Sequence, residues 1–175
     1  MSRKTKIMTL VGVGLMALLV MALGAGAFAA QDTEQVAVQV TVPATIQLAL
    51  DTASIDYGTL APPTTDTSEV IGATVNSNKA WNLYVSKNQD LTKGTDTIAS
   101  SNFLFQGENA GAGVTLDVSS YAQFASGAPG TLLAHGTRGS GRTLDVRYSL
   151  TIPWDVEGDD TTPYTATHTY TATQP

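Results

Sequence analysis

Apolar and polar residues alternate through five repeats between positions 143 and 154. Every second position is apolar and the intervening positions are polar or charged: Leu144, Val146, Tyr148, Leu150 and Ile152 against Asp145, Arg147, Ser149 and Thr151. A period of two is what a β-strand with one buried face produces. The pattern therefore predicts a half-buried strand near the C-terminus.

A second alternation follows over residues 164–173. One face carries Tyr164, Ala166, His168, Tyr170 and Ala172, and the other carries threonine at every position. Threonine is β-branched and suits a half-solvated pleated surface. Pro153, Gly158 and Pro163 place a turn between the two alternating stretches. We predict that residues 143–173 form the central antiparallel hairpin of an all-β domain.

The remainder of the chain contains shorter runs of the same kind. Candidate strands cover residues 36–42, 46–50, 70–75, 81–85, 103–105 and 114–118, with another starting at 132. Regularly spaced short strands separated by turn residues indicate an antiparallel β-sandwich of the Ig-like, Greek-key type. Trp81 is predicted to lie in its core, where the indole N–H needs an acceptor.

The N-terminus has the features of a secretory signal. Arg3, Lys4 and Lys6 precede an apolar run over residues 7–30, and Ala27-Phe28-Ala29 fits a small-x-small cleavage site. We predict a signal peptide over 1–29, a single sandwich domain over 30–175, and a secreted or cell-surface location. An uncleaved anchor is the alternative, because a helix over residues 7–30 would extend about 36 Å.

Composition restricts the classes of partner. Cleavage would leave six basic and fifteen acidic residues, a net charge of −9, which disfavours nucleic acid and anionic membranes. The chain has no cysteine, so neither disulfides nor thiol chemistry are available.

No catalytic constellation emerges from the sequence. The histidines are His135 and His168, and no Gly-x-Ser-x-Gly elbow accompanies them. We interpret His168 as a structural residue within its strand and His135 as solvent-facing. Residues 136–142 share only their glycine content with a phosphate-binding loop and are predicted to be a long hairpin connection, whose two arginines could meet an acidic polymer or a neighbouring subunit. We expect no catalytic residue and no organic cofactor.

An acidic segment supplies the one candidate metal site. Its carboxylates are Asp155, Glu157, Asp159 and Asp160. Oxygen ligands on a flexible loop suit Ca²⁺, but a solvated acidic turn has the same composition. Both interpretations stay open.

Trp81-Asn82-Leu83 and the C-terminal residues 164–175 resemble the WxL-type cell-surface proteins of Gram-positive bacteria. That resemblance implies an exported β-sandwich that associates non-covalently with peptidoglycan. The family's second Trp-x-Leu is replaced here by Tyr170-Thr171-Ala172. The residues assigned to binding or structure on this basis are Trp81, Leu83, Tyr84 and Tyr170.

The chain is also similar to other secreted bacterial sandwiches, the spore-coat-U and pilin-like families. Their subunits can polymerise by lending an N-terminal strand to a neighbour, which implies residues 36–42 as the donor here. An ordinary first strand of a closed sandwich is the alternative.

Three functions follow from these observations. The leading hypothesis is a non-catalytic cell-surface protein that binds a cell-wall polymer or a surface protein. The second is a self-assembling fibre or coat subunit. The third is a secreted hydrolase.

Overall fold

The computed structural model describes residues 32–158 and 161–175. The chain divides into two units, residues 1–40 and 41–175. In the first unit, residues 32–40 form neither helix nor strand. The predicted signal peptide over 1–29 lies outside the described residues. All the strands described below belong to the second unit.

The first sheet has six strands and is built around the longest one. Its order is β1 (Ile46–Leu50), β3 (Val70–Ser77), β12 (Gly139–Ile152), β7 (Phe103–Glu108) and β9 (Ala122–Gln123), and β2 (Thr64–Asp66) pairs with the last residues of β12. Every pairing in this sheet is antiparallel. The period-two stretch that dominates the sequence is thus the central strand of this sheet.

The second sheet has five strands and is centred on β4 (Trp81–Lys87). Its other strands are β13 (His168–Thr173) on one side of β4, β11 (Thr131–Gly136) and β10 (Ala125–Ser126) on the other, and β8 (Val114–Leu116) beyond β11. The short β10 runs parallel to β4 and the other pairings are antiparallel. A separate ribbon joins β5 (Leu91–Lys93) to β6 (Asp96–Ile98), and a 3-10 turn covers Ser100–Asn102.

The two sheets enclose one hydrophobic core. Both supply residues to it: Ile71, Ala73, Val75, Phe105, Leu144, Val146 and Tyr148 from the first sheet, and Trp81, Leu83, Val85, Leu133 and Ala134 from the second. These residues alternate along their strands except in β11, where the pairing with β4 shifts register between Leu132 and Ala134 and the consecutive Leu133 and Ala134 are both buried. The alternation arises because successive side chains of a strand point to opposite faces. The all-β prediction is confirmed, and the arrangement is sandwich-like.

The predicted central hairpin over residues 143–173 is wrong. The two alternating stretches are β12 and β13, and they belong to different sheets. They face each other across the core, where the hydroxyls of Tyr148 and Tyr170 lie 2.6 Å apart. The prediction rested on the proline and glycine residues between the two stretches, which indicate a turn but not which strands it joins. The connection over residues 153–167 is long enough to cross from one sheet to the other.

Two other connections also differ from expectation. Residues 136–142 do not join two strands of one hairpin, because β11 lies in the second sheet and β12 lies in the first. Residues 36–42 form no strand, whereas the predicted strand over 46–50 is β1. An ordinary first sandwich strand over 36–42 is therefore ruled out by this structure.

The core depends on one close approach between β4 and β11. Gly136 pairs with Trp81, and an added Cβ at Gly136 would lie 2.3 Å from Trp81 Cζ2. The indole N–H of Trp81 donates to the carbonyl oxygen of Thr137 at 3.2 Å. Trp81 thus has its predicted acceptor, and the absence of a side chain at Gly136 leaves space for the ring.

We predict that Gly136→Ala destabilises the sandwich. The new methyl group would force the Trp81 ring or β11 to move, and overpacking of this kind costs about 1–3 kcal/mol. Gly158→Ala is the control, since nothing lies within 4 Å of a Cβ at that position. Urea unfolding of both variants checks this; equal midpoints would contradict the role given to Gly136.

Candidate functional site

The outer face of the second sheet gathers polar and aromatic side chains from four strands. Buried residues of β4 alternate with Asn82 and Tyr84, which point away from the core. Side chains paired across neighbouring strands share a face, and the register places Thr171 opposite Tyr84 and Thr173 opposite Asn82. On the other side of β4, Leu132 pairs with Tyr84 and His135 with Asn82, and Thr115 of β8 pairs with His135. We call this surface the Tyr84 face, made of Asn82, Tyr84, Thr115, Leu132, His135, Thr171 and Thr173.

The Tyr84 face offers hydrogen-bonding groups around one aromatic ring. The Asn82 amide donates to the Tyr84 hydroxyl at 3.4 Å. His135 Nδ1 lies 2.8 Å from Asp117 Oδ2, and the His135 side chain is 48% exposed, so its predicted solvent-facing position is confirmed. Hydroxyl, amide and imidazole groups can each exchange hydrogen bonds with a ligand. The surface is suited to a ligand that is itself rich in hydroxyl groups.

The Trp-x-Leu tripeptide lies mostly inside the molecule. Trp81 is 1% exposed and Leu83 is fully buried, while Asn82 between them is on the Tyr84 face. The alternation of β4 explains this division. In the folded domain, Trp81 and Leu83 are core residues, and only Asn82 and Tyr84 are available to a partner.

Tyr170 also faces inward. Its hydroxyl shares a 2.6 Å hydrogen bond with the Tyr148 hydroxyl. Burial raises the pKa of both phenols, that of Tyr148 to about 12, so both stay protonated at physiological pH. Tyr170 connects the two sheets through this bond. Its side chain points into the sandwich, whereas that of Tyr84 points outward.

His168 lies within a cluster of aromatic rings. It stacks on Phe124 with ring centroids 3.9 Å apart and lies 5.2 Å from Phe103 and 5.6 Å from Tyr148. Its Nδ1 is 3.4 Å from the Tyr148 hydroxyl, and its buried Nε2 has no hydrogen-bond partner among the described residues. Burial, with a smaller effect from the positive charge of Lys87, lowers the pKa of His168 to about 4. His168 is therefore neutral and structural, which agrees with the structural role that its place in the alternating sequence indicated.

Lys87, Asp90 and Ser100 form a compact polar cluster near this end of the sandwich. Lys87 is 9% exposed and contacts both the Asp90 carboxylate and the Ser100 hydroxyl. Hydrogen bonds from Lys87 and Ser100 hold the pKa of Asp90 below its ordinary value. A lysine that activates a serine nucleophile must be neutral, whereas here the ammonium group is paired with a carboxylate. The cluster has the features of a partly buried ion pair, since the Asp90 side chain is 31% exposed.

The acidic segment is only partly described. Asp155 and Glu157 are exposed, and Asp159 and Asp160 lie outside the described residues. The Glu157 carbonyl oxygen accepts hydrogen bonds from Lys93 at 3.1 Å and from the Tyr164 hydroxyl at 3.0 Å. Across residues 32–158 and 161–175, no group of three or more His, Cys, Asp or Glu side chains is placed to hold a metal ion. The calcium interpretation of the complete segment stays a prediction.

Two surface features were not anticipated from the sequence. Trp154 is 75% exposed at the end of the β12 alternation, where periodicity alone gave no reason to expect an exposed tryptophan. A shallow depression over β1, β3 and β12 is lined by the carboxylates of Asp51 and Asp145 on either side of Gly72. Asp145 is already engaged, since it accepts a hydrogen bond from Asn109 at 2.8 Å. Asp51 and Asp145 are brought together by the pairing of β1 and β12 with β3. The sequence did not predict these pairings, so it did not predict the depression.

Comparison with known proteins leaves the family open. The sequence matches no protein-family model and no curated protein sequence. Within the described part of the chain, none of the helical segments has the length and apolar character needed to cross a membrane.

We predict that acid weakens the fold through His168. Because its pKa falls from 6.5 when exposed to about 4 in the folded protein, the unfolded chain binds this proton first as the pH drops. The contribution of neutral His168 to the free energy of unfolding is fully present above about pH 6.5 and is lost as the pH falls through about 4. Between about pH 7 and about pH 4.5 the loss should be about 2 kcal/mol.

His168→Phe should reduce this acid sensitivity, because phenylalanine preserves the ring stack and cannot be protonated. Urea unfolding at both pH values measures the effect in each protein. Carboxylate titration is common to the two proteins, so the difference between their losses reports on His168. Equal losses in wild type and variant would refute the assignment.

Proposed function

We propose that this protein is an exported, non-catalytic cell-surface protein whose Ig-like, Greek-key sandwich binds a hydroxyl-rich envelope polymer through the Tyr84 face. The observation that carries the proposal is the register of β4 with its neighbours, which surrounds the outward Tyr84 ring with Asn82, Thr171 and Thr173. Tyrosine combines an apolar ring with a polar hydroxyl and serves well at recognition surfaces. A sugar polymer presents both apolar ring faces and hydroxyl groups to such a surface.

Charge favours a neutral polymer over an anionic one. The seven residues of the Tyr84 face include neither lysine nor arginine, and the mature chain predicted from the signal sequence is strongly acidic. An anionic chain would be repelled at long range, and cationic side chains that could offset this are missing from the face. The peptidoglycan glycan is an envelope polymer of this chemistry, and the choice agrees with the resemblance drawn from Trp81-Asn82-Leu83.

The arrangement of the histidines supports a binding function over a hydrolytic one. A serine hydrolase needs a histidine that accepts the proton of its nucleophilic hydroxyl. Asp117 holds His135 Nδ1 as the acid of such a triad would, but among the described residues no serine hydroxyl is hydrogen-bonded to His135. His168 is enclosed by aromatic rings beside the Tyr148 hydroxyl. Lys87 and Ser100 are likewise tied to Asp90.

We predict that Tyr84→Ala reduces co-sedimentation of the protein with purified peptidoglycan. Loss of the central ring of a contact surface typically costs more than 1 kcal/mol, about a fivefold weaker association or more. Tyr121→Ala is the matched control, because this tyrosine is 38% exposed and lies outside the Tyr84 face. Thermal unfolding of both variants verifies that each is folded before binding is compared.

The result also locates the binding surface. Weaker sedimentation of Tyr84→Ala alone supports the proposal. Equal binding by Tyr84→Ala and wild type would reject the Tyr84 face. Loss of binding in Trp154→Ala with Tyr84→Ala unchanged would also reject it and would move the contact to the exposed Trp154.

A further inference from the structure

Two cationic side chains of the sandwich are free of partners within the described part of the chain. Three of the nine basic residues lie in the predicted signal peptide, which leaves six. Four of these form ion pairs or donate to backbone carbonyl oxygens: Lys87, Lys93, Arg142 and Arg147. Among residues 32–158 and 161–175, the Lys79 ammonium group and the Arg138 guanidinium group have neither an ion pair nor a hydrogen bond, and both residues are exposed.

Lys79 and Arg138 occupy neighbouring connections at one end of the sandwich. Lys79 lies between β3 and β4, and Arg138 lies between β11 and β12. The strand register joins the two connections at both of their ends, pairing Ser77 with Gly139 and Trp81 with Gly136. Residues 78–80 therefore lie beside residues 137 and 138, which brings the two free cations to the same small surface.

The backbone that carries these side chains is held by hydrogen bonds. Thr137 N–H donates to Gly113 O at 2.9 Å, and Thr137 O accepts the indole N–H of Trp81. Ser77 Oγ donates to Lys79 O at 2.8 Å. A ligand would therefore order only the two side chains and not the connections, which lowers the entropic cost of binding.

We call this end of the sandwich the basic pole, made of the connections 78–80, 109–113 and 137–138 together with Arg142. The Arg142 guanidinium donates to Arg138 O at 2.8 Å and adds a third positive charge. None of the three connections contains aspartate or glutamate. Because the local charge distribution determines the potential at a surface, this end is positive although the chain as a whole is acidic.

Many carboxylates lie toward the opposite end, in the connections next to the far ends of β3, β4 and β12: Asp66, Glu69, Asp90, Asp96, Asp155 and Glu157. The 14 residues of β12 run between the two ends and extend roughly 40 Å at about 3.3 Å per residue. The Debye length at physiological ionic strength is about 8 Å, so these carboxylates are screened from the basic pole. Between the two ends, Asp117 and Asp145 are bonded to His135 and Asn109.

The basic pole suits a ligand with repeated anionic groups better than a single small ion. An exposed ion pair contributes only about 0–1 kcal/mol, so two free cations on an open surface would hold one small anion weakly. A polymer can engage both cations at once, and its second contact gains from a high effective concentration. The guanidinium group also matches the geometry of phosphate oxygens.

The shape of the charged surface favours a thin polymer over a membrane. A polymer chain can reach the basic pole alone, whereas a flat anionic membrane would extend beyond it toward the acidic parts of the molecule. The connections 78–80, 109–113 and 137–138 contain no aromatic residue that could stack on a nucleic-acid base. Phosphate groups along a polymer are therefore the chemistry that this surface can recognise.

We propose that the basic pole is a second binding site, which takes the phosphate groups of an anionic polymer. Lys79 and Arg138 would each contact a phosphate group of the same chain, and Arg142 would add to the attraction without leaving its carbonyl partners. This site differs in chemistry from the Tyr84 face, which has neither lysine nor arginine. The proposal does not rest on the Tyr84 face, since each site can be lost without the other.

The first test measures the fluorescence anisotropy of labelled long-chain inorganic polyphosphate with the full chain. Lys79→Gln with Arg138→Gln should bind about tenfold more weakly than wild type, because two exposed ionic contacts are lost. Gln89→Glu with Gln123→Glu is the control, since both residues are exposed away from the basic pole and the net charge falls by the same two units. It should bind like wild type. No binding by wild type, or equal losses in the two double variants, would overturn the proposal.

The second test examines salt and competing ligands. The slope of log affinity against log salt should fall by about one for each cation removed, Lys79→Gln or Arg138→Gln. Inorganic phosphate at the same total phosphate concentration should not displace polyphosphate, and displacement would reject a polymer as the ligand. Tighter binding to phosphatidylglycerol vesicles than to polyphosphate would also reject it. So would a self-association of wild type that the double variant loses, which would make the acidic end of a second copy the partner.

The Tyr84→Ala protein separates this proposal from the glycan site. It should keep its affinity for polyphosphate while its sedimentation with peptidoglycan is reduced. Loss of polyphosphate binding in Tyr84→Ala would overturn the assignment of a second, separate site.

Discussion

The packing of the inward row of β12 against the second sheet is the contact on which the rest of the structure depends. This strand pairs with β3 and β7 over most of its length and with β2 at its end. Its residues Leu144, Val146 and Tyr148 are at most 1% exposed. Removing such apolar surface from water is the main favourable contribution to folding. Without cysteine, the protein has no disulfide to supplement this core.

The same packing determines what the outer surfaces can do. In β4, Trp81 and Leu83 are held in the core, so Asn82 and Tyr84 must point outward. Neighbouring β11 and β13 add their outward residues to the same plane. The Tyr84 face is therefore a geometric consequence of the core, and a one-residue shift in register would exchange the two sets of side chains.

Local patterns in the sequence predicted which residues are buried, but not which strands are partners. The faces of β3, β4 and β12 follow from alternation, which is a property of each strand alone. Pairing is decided by contacts between distant residues, so β12 and β13 looked like a hairpin although they lie in different sheets. The valines of residues 36–42 show the same limit, because alternation records a preference for an apolar partner without saying whether the chain itself supplies one.

Asn78 has a consequence for how the domain would bear mechanical load. Its side chain accepts a hydrogen bond from Thr45 N–H at 2.9 Å and donates to Pro43 O at 2.6 Å. A pull on the chain before Pro43 would thus reach the turn after β3 before it reached β1. All five residues of β1 pair with β3, so a pull directed along β1 would load these hydrogen bonds together and not one by one. At the cell surface that we propose for this protein, flow and contact forces would act on the chain, and this attachment would spread them over a whole strand.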